Sequence, residues 1–417
     1  MSDQENSYDI VVVGGGSAGV ATAASLLKRR YWLNIAIIEP KDDHYYQPGW
    51  TMVGAGVFVT DETVRSQESV IPKGVTLLKD EVTTFDPDNN SVSLKSGGSV
   101  KYDHMVVAPG LKLNLDAVEG LEETLGKNSV TSNYLLNSAP YTWELVQNFK
   151  GGKAIFTQPP VPFKCAGAPQ KAMYLSCDEW QKMGILDDCD VEFCNAGPAL
   201  FGVADYIPPL MEYVEKYDAT LSFGENLVAV DGARKVATFA KTDADGNVTK
   251  VEKEFDMLHV CPPQCAMEFV AKSPLAAENG FLSVDINTLQ HTKYSNIFGA
   301  GDTIATLNAK TAAAARKQAV VVAENLISAM DGQDLNSIYE GYGSCPLTVT
   351  KGKIILAEFG YGGKIMSTFP NWMNNTFKAT RRAWLLKADV LPWVYWNQML
   401  KGKEIFAGSK KKEQAEH

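Results

Sequence analysis

The sequence predicts an α/β protein of two Rossmann-like domains, the second with a degenerate nucleotide fingerprint, ending in a C-terminal amphipathic membrane-binding segment. Three observations carry this. A strand, glycine turn, helix, strand unit opens the chain. A weaker copy stands near residue 190. Basic charge and tryptophan gather after residue 370. The 417 residues suffice for two or three domains. With 45% hydrophobic and 21% charged residues the balance is an ordinary globular one, which excludes whole-chain disorder. A net charge of −10 argues against nucleic-acid binding. No apolar run reaches the ~18–20 residues of a membrane-spanning helix. The first residues, MSDQENSYD, show no secretory or transit pattern.

The opening unit begins with the apolar run Tyr8-Asp-Ile-Val-Val-Val13, as expected of a buried parallel strand. Gly14-Gly-Gly-Ser-Ala-Gly19 follows, then a helical stretch over 20–28 and a second strand, Asn34-Ile-Ala-Ile-Ile-Glu39. Glu39 lies twenty residues past Gly19, the spacing of a dinucleotide fingerprint. Gly14, Gly16, Ser17, Ala18 and Gly19 let backbone amides approach a pyrophosphate, and Glu39 is placed to accept from an adenosine ribose.

Two later segments specify the dinucleotide. Tyr102-Asp-His-Met-Val-Val-Ala-Pro-Gly110 reads as a strand ending in a small-residue turn. Asn296-Ile-Phe-Gly-Ala-Gly-Asp302 reads as another, ahead of a helix expected over 309–329. The three marks together resemble the two-dinucleotide-domain flavoproteins of the disulfide reductase-like superfamily. That resemblance implies FAD, with Asp302 at its ribityl chain and the backbone of Lys310, Thr311, Ala312 and Ala313 at the flavin pyrimidine. It divides the chain into an FAD-binding domain (1–112 and 282–330), a second Rossmann-like domain (113–281) and a C-terminal region (331–417). In the middle domain, Asn195, Gly197 and Leu200 stand at the three glycine positions, so a nicotinamide cofactor is poorly supported.

Seven cysteines, at 165, 177, 189, 194, 261, 265 and 345, form neither a disulfide framework nor a metal spacing, and no metal is expected. Cys165, in VPFKCAGAPQK, and Cys345, in YGSCPL, are each followed by small or turn-forming residues, which suggests exposed loops. These two segments, with HYYQPGWTMVGAG (44–56), ILAEFGY and LLKADVLPWVYWNQMLKG, resemble sulfide:quinone oxidoreductases over nearly the whole chain. The resemblance implies a redox cysteine pair at Cys165 and Cys345, hydrogen sulfide as donor, and ubiquinone or menaquinone as acceptor. The sulfane sulfur would leave to glutathione, sulfite, cyanide or sulfide. Lys164 and Lys171 flank Cys165 and could favour its thiolate. Gln47 and Val82 match positions that contact the flavin and the adenine. Lys387 stands either near the quinone and redox site or at a membrane surface. The remaining cysteines and the histidines are expected to be structural.

Residues 371–417 hold nine Lys or Arg against four Asp or Glu, and four of the eight tryptophans. Two short helices are expected, 376–389 and 392–402. Trp393, Trp396 and Leu400 fall on one helical face, extended by Leu386 and Val390, and Arg381, Arg382, Lys387, Lys401 and Lys403 can reach lipid phosphates. The expectation is a peripheral, monotopic protein of a bacterial inner membrane (cytoplasmic face) or the mitochondrial inner membrane. A homodimer is left open. Two other readings also stay open: a type II NADH:quinone oxidoreductase-like enzyme and a non-catalytic FAD redox sensor.

Overall fold

A computed structural model describes residues 6–412. Its first sheet runs Val75–Leu78, Ile35–Ile38, Asn6–Val13 and Ser99–Val107. Beyond these lie the antiparallel strands Ser91–Leu94 and Val82–Asp86, with Ile297–Gly299 also pairing parallel to Ser99–Val107. The register aligns Val13 with Ile38 and Val107, and Val107 with Gly299. The parallel strands therefore end level, so the turns that follow them share one edge, where α/β sheets bind ligands. Helices α1 (Ser17–Arg29) and, well after α2 (Ala168–Met183), α3 (Ala312–Met330) pack together over this sheet.

The second sheet is five-stranded and parallel: Val130–Thr131, Met257–His259, Gly152–Gln158, Cys189–Asn195 and Thr220–Phe223. The chain enters it through Leu111–Leu113 and leaves through Gln264–Ala266, which pair antiparallel. This return lies ahead of the expected boundary at 282, because Val270 and Leu275 bury in the first core and Phe269 stacks on Phe85.

The segment after residue 190 departs from a dinucleotide turn. Asn195 Oδ1 accepts from the Gly197 amide at 2.8 Å, and its Nδ2 donates to the Ala199 carbonyl at 2.8 Å. Leu200 is buried, and no helix begins until the short turn at Ala204–Tyr206. The side chain of Asn195 thus bonds to the backbone of the turn that follows its strand.

The C-terminal region straddles both sheets. The strands Gly343–Thr350 and Lys353–Phe359 form a hairpin. Its alternation is decisive: Cys345, Leu347, Val349, Ile355 and Ala357 bury in the second core, whereas Ser344, Pro346, Leu356 and Glu358 face the central cleft. Then come α4 (Arg381–Leu385), a wide π-turn (Leu386–Val390) and α5 (Leu391–Asn397). This run is continuous, unlike the two helices expected, with Pro392 accommodated in the first turn of α5.

Candidate active site

One cleft joins the level strand ends of the first sheet, the start of α2 and the C-terminal helices. Its dinucleotide side is made as the sequence pattern requires. Gly14, at φ +102°, brings backbone so close to Ala108 that a Cβ would stand 2.5 Å from that carbonyl. A Cβ on Gly19 would strike the Gly14 carbonyl, whereas one on Gly16 would meet nothing, leaving that backbone open to a ligand. The Gly15 amide donates to Glu39 Oε2 at 2.8 Å. Gly16, Ser17, Ala18, Glu39, Gln47, Gly110, Asp302, Lys310, Thr311, Ala312 and Ala313 all line the cleft. Gly14 and Gly19 act behind it, in packing. Val82 is a buried residue of the strand Val82–Asp86 and is not in the lining.

These residues fit a flavin dinucleotide. The N-terminus of α3 lines the cleft, supplying positive potential. Trp50 Nε1, Thr51 Oγ1 and Asn133 Oδ1 are buried polar atoms of lining residues without a protein partner. Such orphans are rare unless a ligand meets them.

The cysteine pair assembles at the start of α2. Cys165 adopts a left-handed backbone (φ 53°), uncommon for a residue with a Cβ and concentrated at functional sites. Its amide donates to the Lys310 carbonyl at 2.8 Å, docking the loop on the segment that leads into α3. Tyr134 Oη donates to the Lys164 and Cys165 carbonyls. Gly167 has no room for a side chain, since a Cβ would lie 2.3 Å from Leu347 Cδ2 and 3.6 Å from Cys345 Cβ. The hairpin thereby presses Cys345 onto Cys165. Cys345 is thus a fully buried strand residue, not the exposed loop residue expected, while Cys165 is half-buried at the cleft wall.

The two thiols interact so that one anion is favoured. The hydrogen bond from Cys345, then the charge of Lys171, hold Cys165 well below the ordinary thiol range against the opposing effect of burial. The same contact, and then burial, push Cys345 up. Lys171 Nζ stands 3.2 Å from Cys165 Sγ. Lys164, the other flanking lysine, instead donates to Gln47 Oε1 and lies over Trp50. Burial lowers Lys164 and Lys310 to about 8 and opposes ionisation of Asp302.

Lys387 corrects another expectation. It is 3% exposed, so it cannot reach lipid. Its Nζ donates to the Pro48 carbonyl at 2.7 Å. Burial first, then Lys171, push it down to about 7, while Cys165 and Cys345 pull it up. The apolar face expected at 393, 396 and 400 is also split. Trp396 and Leu400 bury in the first core, with Arg65 over Trp396, while Trp393, Val390 and Leu385 stay exposed.

Sequence reasoning missed several lining residues. Arg316, on α3, faces the cleft beside Tyr342 and Glu358, with its Nε buried and unpartnered. A cation inside the run Ala312-Ala-Ala-Ala-Arg316 was its one signal. Glu358 accepts from Tyr342 Oη at 2.6 Å and from the Thr368 amide at 2.9 Å. Elsewhere, Glu192, Cys194 and Glu225 approach one another closely enough to suggest a metal, but the Lys253 ammonium pairs with both carboxylates there.

Fold and site define a flavin-dependent oxidoreductase. The pyridine nucleotide-disulphide oxidoreductase family matches residues 8–144. The mitochondrial sulfide:quinone oxidoreductase of Dictyostelium discoideum is 41% identical over 405 residues, covering 96% of this chain and 87% of its own length. That of Mus musculus is 38% identical, covering 95% of this chain and 87% of its own. The solved sulfide:quinone oxidoreductase of Aquifex aeolicus shares the fold at a TM-score of 0.76 and 21% identity, over 94% of this chain and 92% of that one. The chain belongs to the sulfide:quinone oxidoreductase family.

Proposed function

We propose that the protein oxidises hydrogen sulfide with FAD and a redox pair formed by Cys165 and Cys345, and reduces ubiquinone or menaquinone. The observation that carries this is Cys165 at the wall of the cleft, 3.2 Å from Lys171 and electrostatically paired with buried Cys345.

In the oxidised pair, hydrosulfide attacks Cys345 Sγ. The new S–S bond forms there as the old one breaks, and Cys165 departs with the electron pair as a thiolate. Lys171 and protonated Lys387 stabilise that charge. The bound FAD would supply two-electron acceptance, through Cys165, as the pair is reoxidised, and donation to quinone. A nucleophile such as glutathione, sulfite, cyanide or sulfide removes the sulfane sulfur from Cys345, leaving a thiolate. Loss of two electrons from the two thiolates then restores the disulfide. The lysines around the cleft also favour entry of anionic hydrosulfide. Asn195 in its turn supports a second domain without a nicotinamide.

The quinone side is the apolar end of the cleft, lined by Leu356, Phe369, Leu391, Val394, Met399 and Phe406. Exposed Leu385, Val390 and Trp393, with exposed Arg381, Arg382, Lys401 and Lys403, support a membrane surface here. Among the described residues, no helix is long and apolar enough to cross a membrane. The mitochondrial names of the relatives favour a mitochondrial-type inner membrane. The test is turnover with sulfide or NADH as donor and a short-chain ubiquinone as acceptor. Sulfide should support it and NADH should not.

A further inference from the structure

Tyr395 of α5 ties the C-terminal helices to the dinucleotide turn. Its Oη stands 2.6 Å from Ser17 Oγ and 2.7 Å from His44 Nε2. The protons in this chain can be assigned. His44 Nδ1 lies 3.0 Å from the Gly15 carbonyl, which can only accept, so Nδ1 carries the hydrogen. Burial holds the imidazole neutral, down to about 4, which leaves Nε2 a bare acceptor. Tyr395 therefore donates to His44. Ser17 in turn donates to Tyr395, because the Tyr395 proton is already used. The order is Ser17 to Tyr395 to His44 to the Gly15 carbonyl.

This has two consequences. The Gly15 carbonyl, also bound by Gln67 Nε2 at 2.9 Å, is held by two side chains while the Gly15 amide is held by Glu39. The orientation of the peptide planes in the turn is thus set partly by a residue 378 positions from Ser17. The other consequence concerns the far end of the contact. The same helical run brings Lys387 to the cysteine pair and lines the quinone side with Leu391, Val394 and Met399.

We infer that Tyr395 couples occupancy of the dinucleotide turn to the seating of the C-terminal helices, so that FAD and the quinone-side wall stabilise each other. The inference rests on the FAD reading. Other contacts hold the segment without Tyr395: Glu404 pairs with Lys28 and Arg29 and accepts from Ser25, and Arg65 covers Trp396. Tyr395→Phe should therefore keep the fold while leaving His44 Nε2 unpartnered and freeing the Ser17 proton. Coupling is reciprocal: whatever factor FAD adds to seating, seating adds to FAD affinity.

The experiment is hydrogen exchange by mass spectrometry on holoenzyme and on flavin-stripped protein before and after FAD is added back, with FAD affinity measured by fluorescence quenching. In the parent protein, FAD should slow exchange over 381–402 by roughly fivefold or more, the lower end of measured couplings. In Tyr395→Phe that flavin-dependent protection should vanish, and FAD affinity should fall by the same factor. Ser17→Ala, which removes only the first donor, should move both readouts in the same direction. Equal exchange over 381–402 with and without FAD in the parent, or full protection retained in both variants, overturns the coupling. Failure of the parent to bind FAD is a different result, which overturns the cofactor reading and the coupling with it.

Discussion

Replacing Lys171 by Met should raise the titration of the Cys165 thiol, and the energy at stake follows from one distance. Lys171 Nζ lies 3.2 Å from Cys165 Sγ. At that separation a unit charge pair is worth about 1.3 kcal/mol at a dielectric of 80 and about 5 kcal/mol at 20. Lys171 is 2% exposed, which argues against the aqueous limit. Lys387 remains as a second cation and offsets part of the loss. Methionine keeps most of the stem volume, so packing in α2 should survive. The assay is the pH dependence of iodoacetamide labelling at Cys165 in reduced protein, read by mass spectrometry. The midpoint should rise in Lys171→Met and stay near the parent value in Lys171→Arg. An unchanged midpoint in Lys171→Met refutes the counter-ion argument.

Cys165→Ser and Cys345→Ser should each abolish efficient sulfide-dependent reduction of the flavin while FAD content survives, whereas Cys189→Ser should not, as absorbance in anaerobic mixing checks. Arg316→Met should raise the quinone KM at least several-fold and leave sulfide reduction of the flavin intact, because its buried cation faces the cleft with Nε unpartnered. Lys387 sits at about 7 against an ordinary 10.5, so the cost of burying its ammonium is complete below the lower value and fades as pH rises toward the higher. Lys387→Met should therefore melt above the parent at around pH 6, with the gap closing in alkali. Changing exposed Leu385, Val390 and Trp393 together to Ser should weaken sedimentation with anionic vesicles while preserving the sulfide half-reaction.

The dinucleotide half was legible because its signals are local. Apolar runs, a glycine turn and an acid at fixed spacing place Gly16, Glu39, Asp302 and the start of α3 in one cleft. Lys171 and Lys387 were named for their proximity in sequence to family-like motifs, and both stand beside the cysteine pair. Cys345 was misread as a loop residue because Pro346 and the preceding glycines masked an alternating strand. Its partner strand, Lys353–Phe359, carries the matching apolar face across the Lys351-Gly352 turn. The tail misled for another reason. A face drawn with regular helical spacing ignores the wide turn at Leu386–Val390, which shifts Leu386 and Val390 against the residues after it, and the helix end at Asn397, past which Leu400 no longer follows helical spacing. Tyr395 and Arg316 depend on partners far along the chain, such as Ser17 and Glu358, and no local pattern marks such contacts.

The central claim, that sulfide enters at Cys345 and its electrons leave through Cys165, is tested most directly by anaerobic titration of the holoenzyme with sulfide, without quinone, before and after sulfite is added as sulfane acceptor. Mass spectrometry after acid quenching, before sulfite is added, should find one added sulfur on Cys345 and none on Cys165. Once sulfite has removed that sulfur, the flavin should bleach at about one sulfide per bound flavin, following the two-electron balance above. An added sulfur on Cys165, no sulfur on either residue, or no bleaching after sulfite contradicts the account.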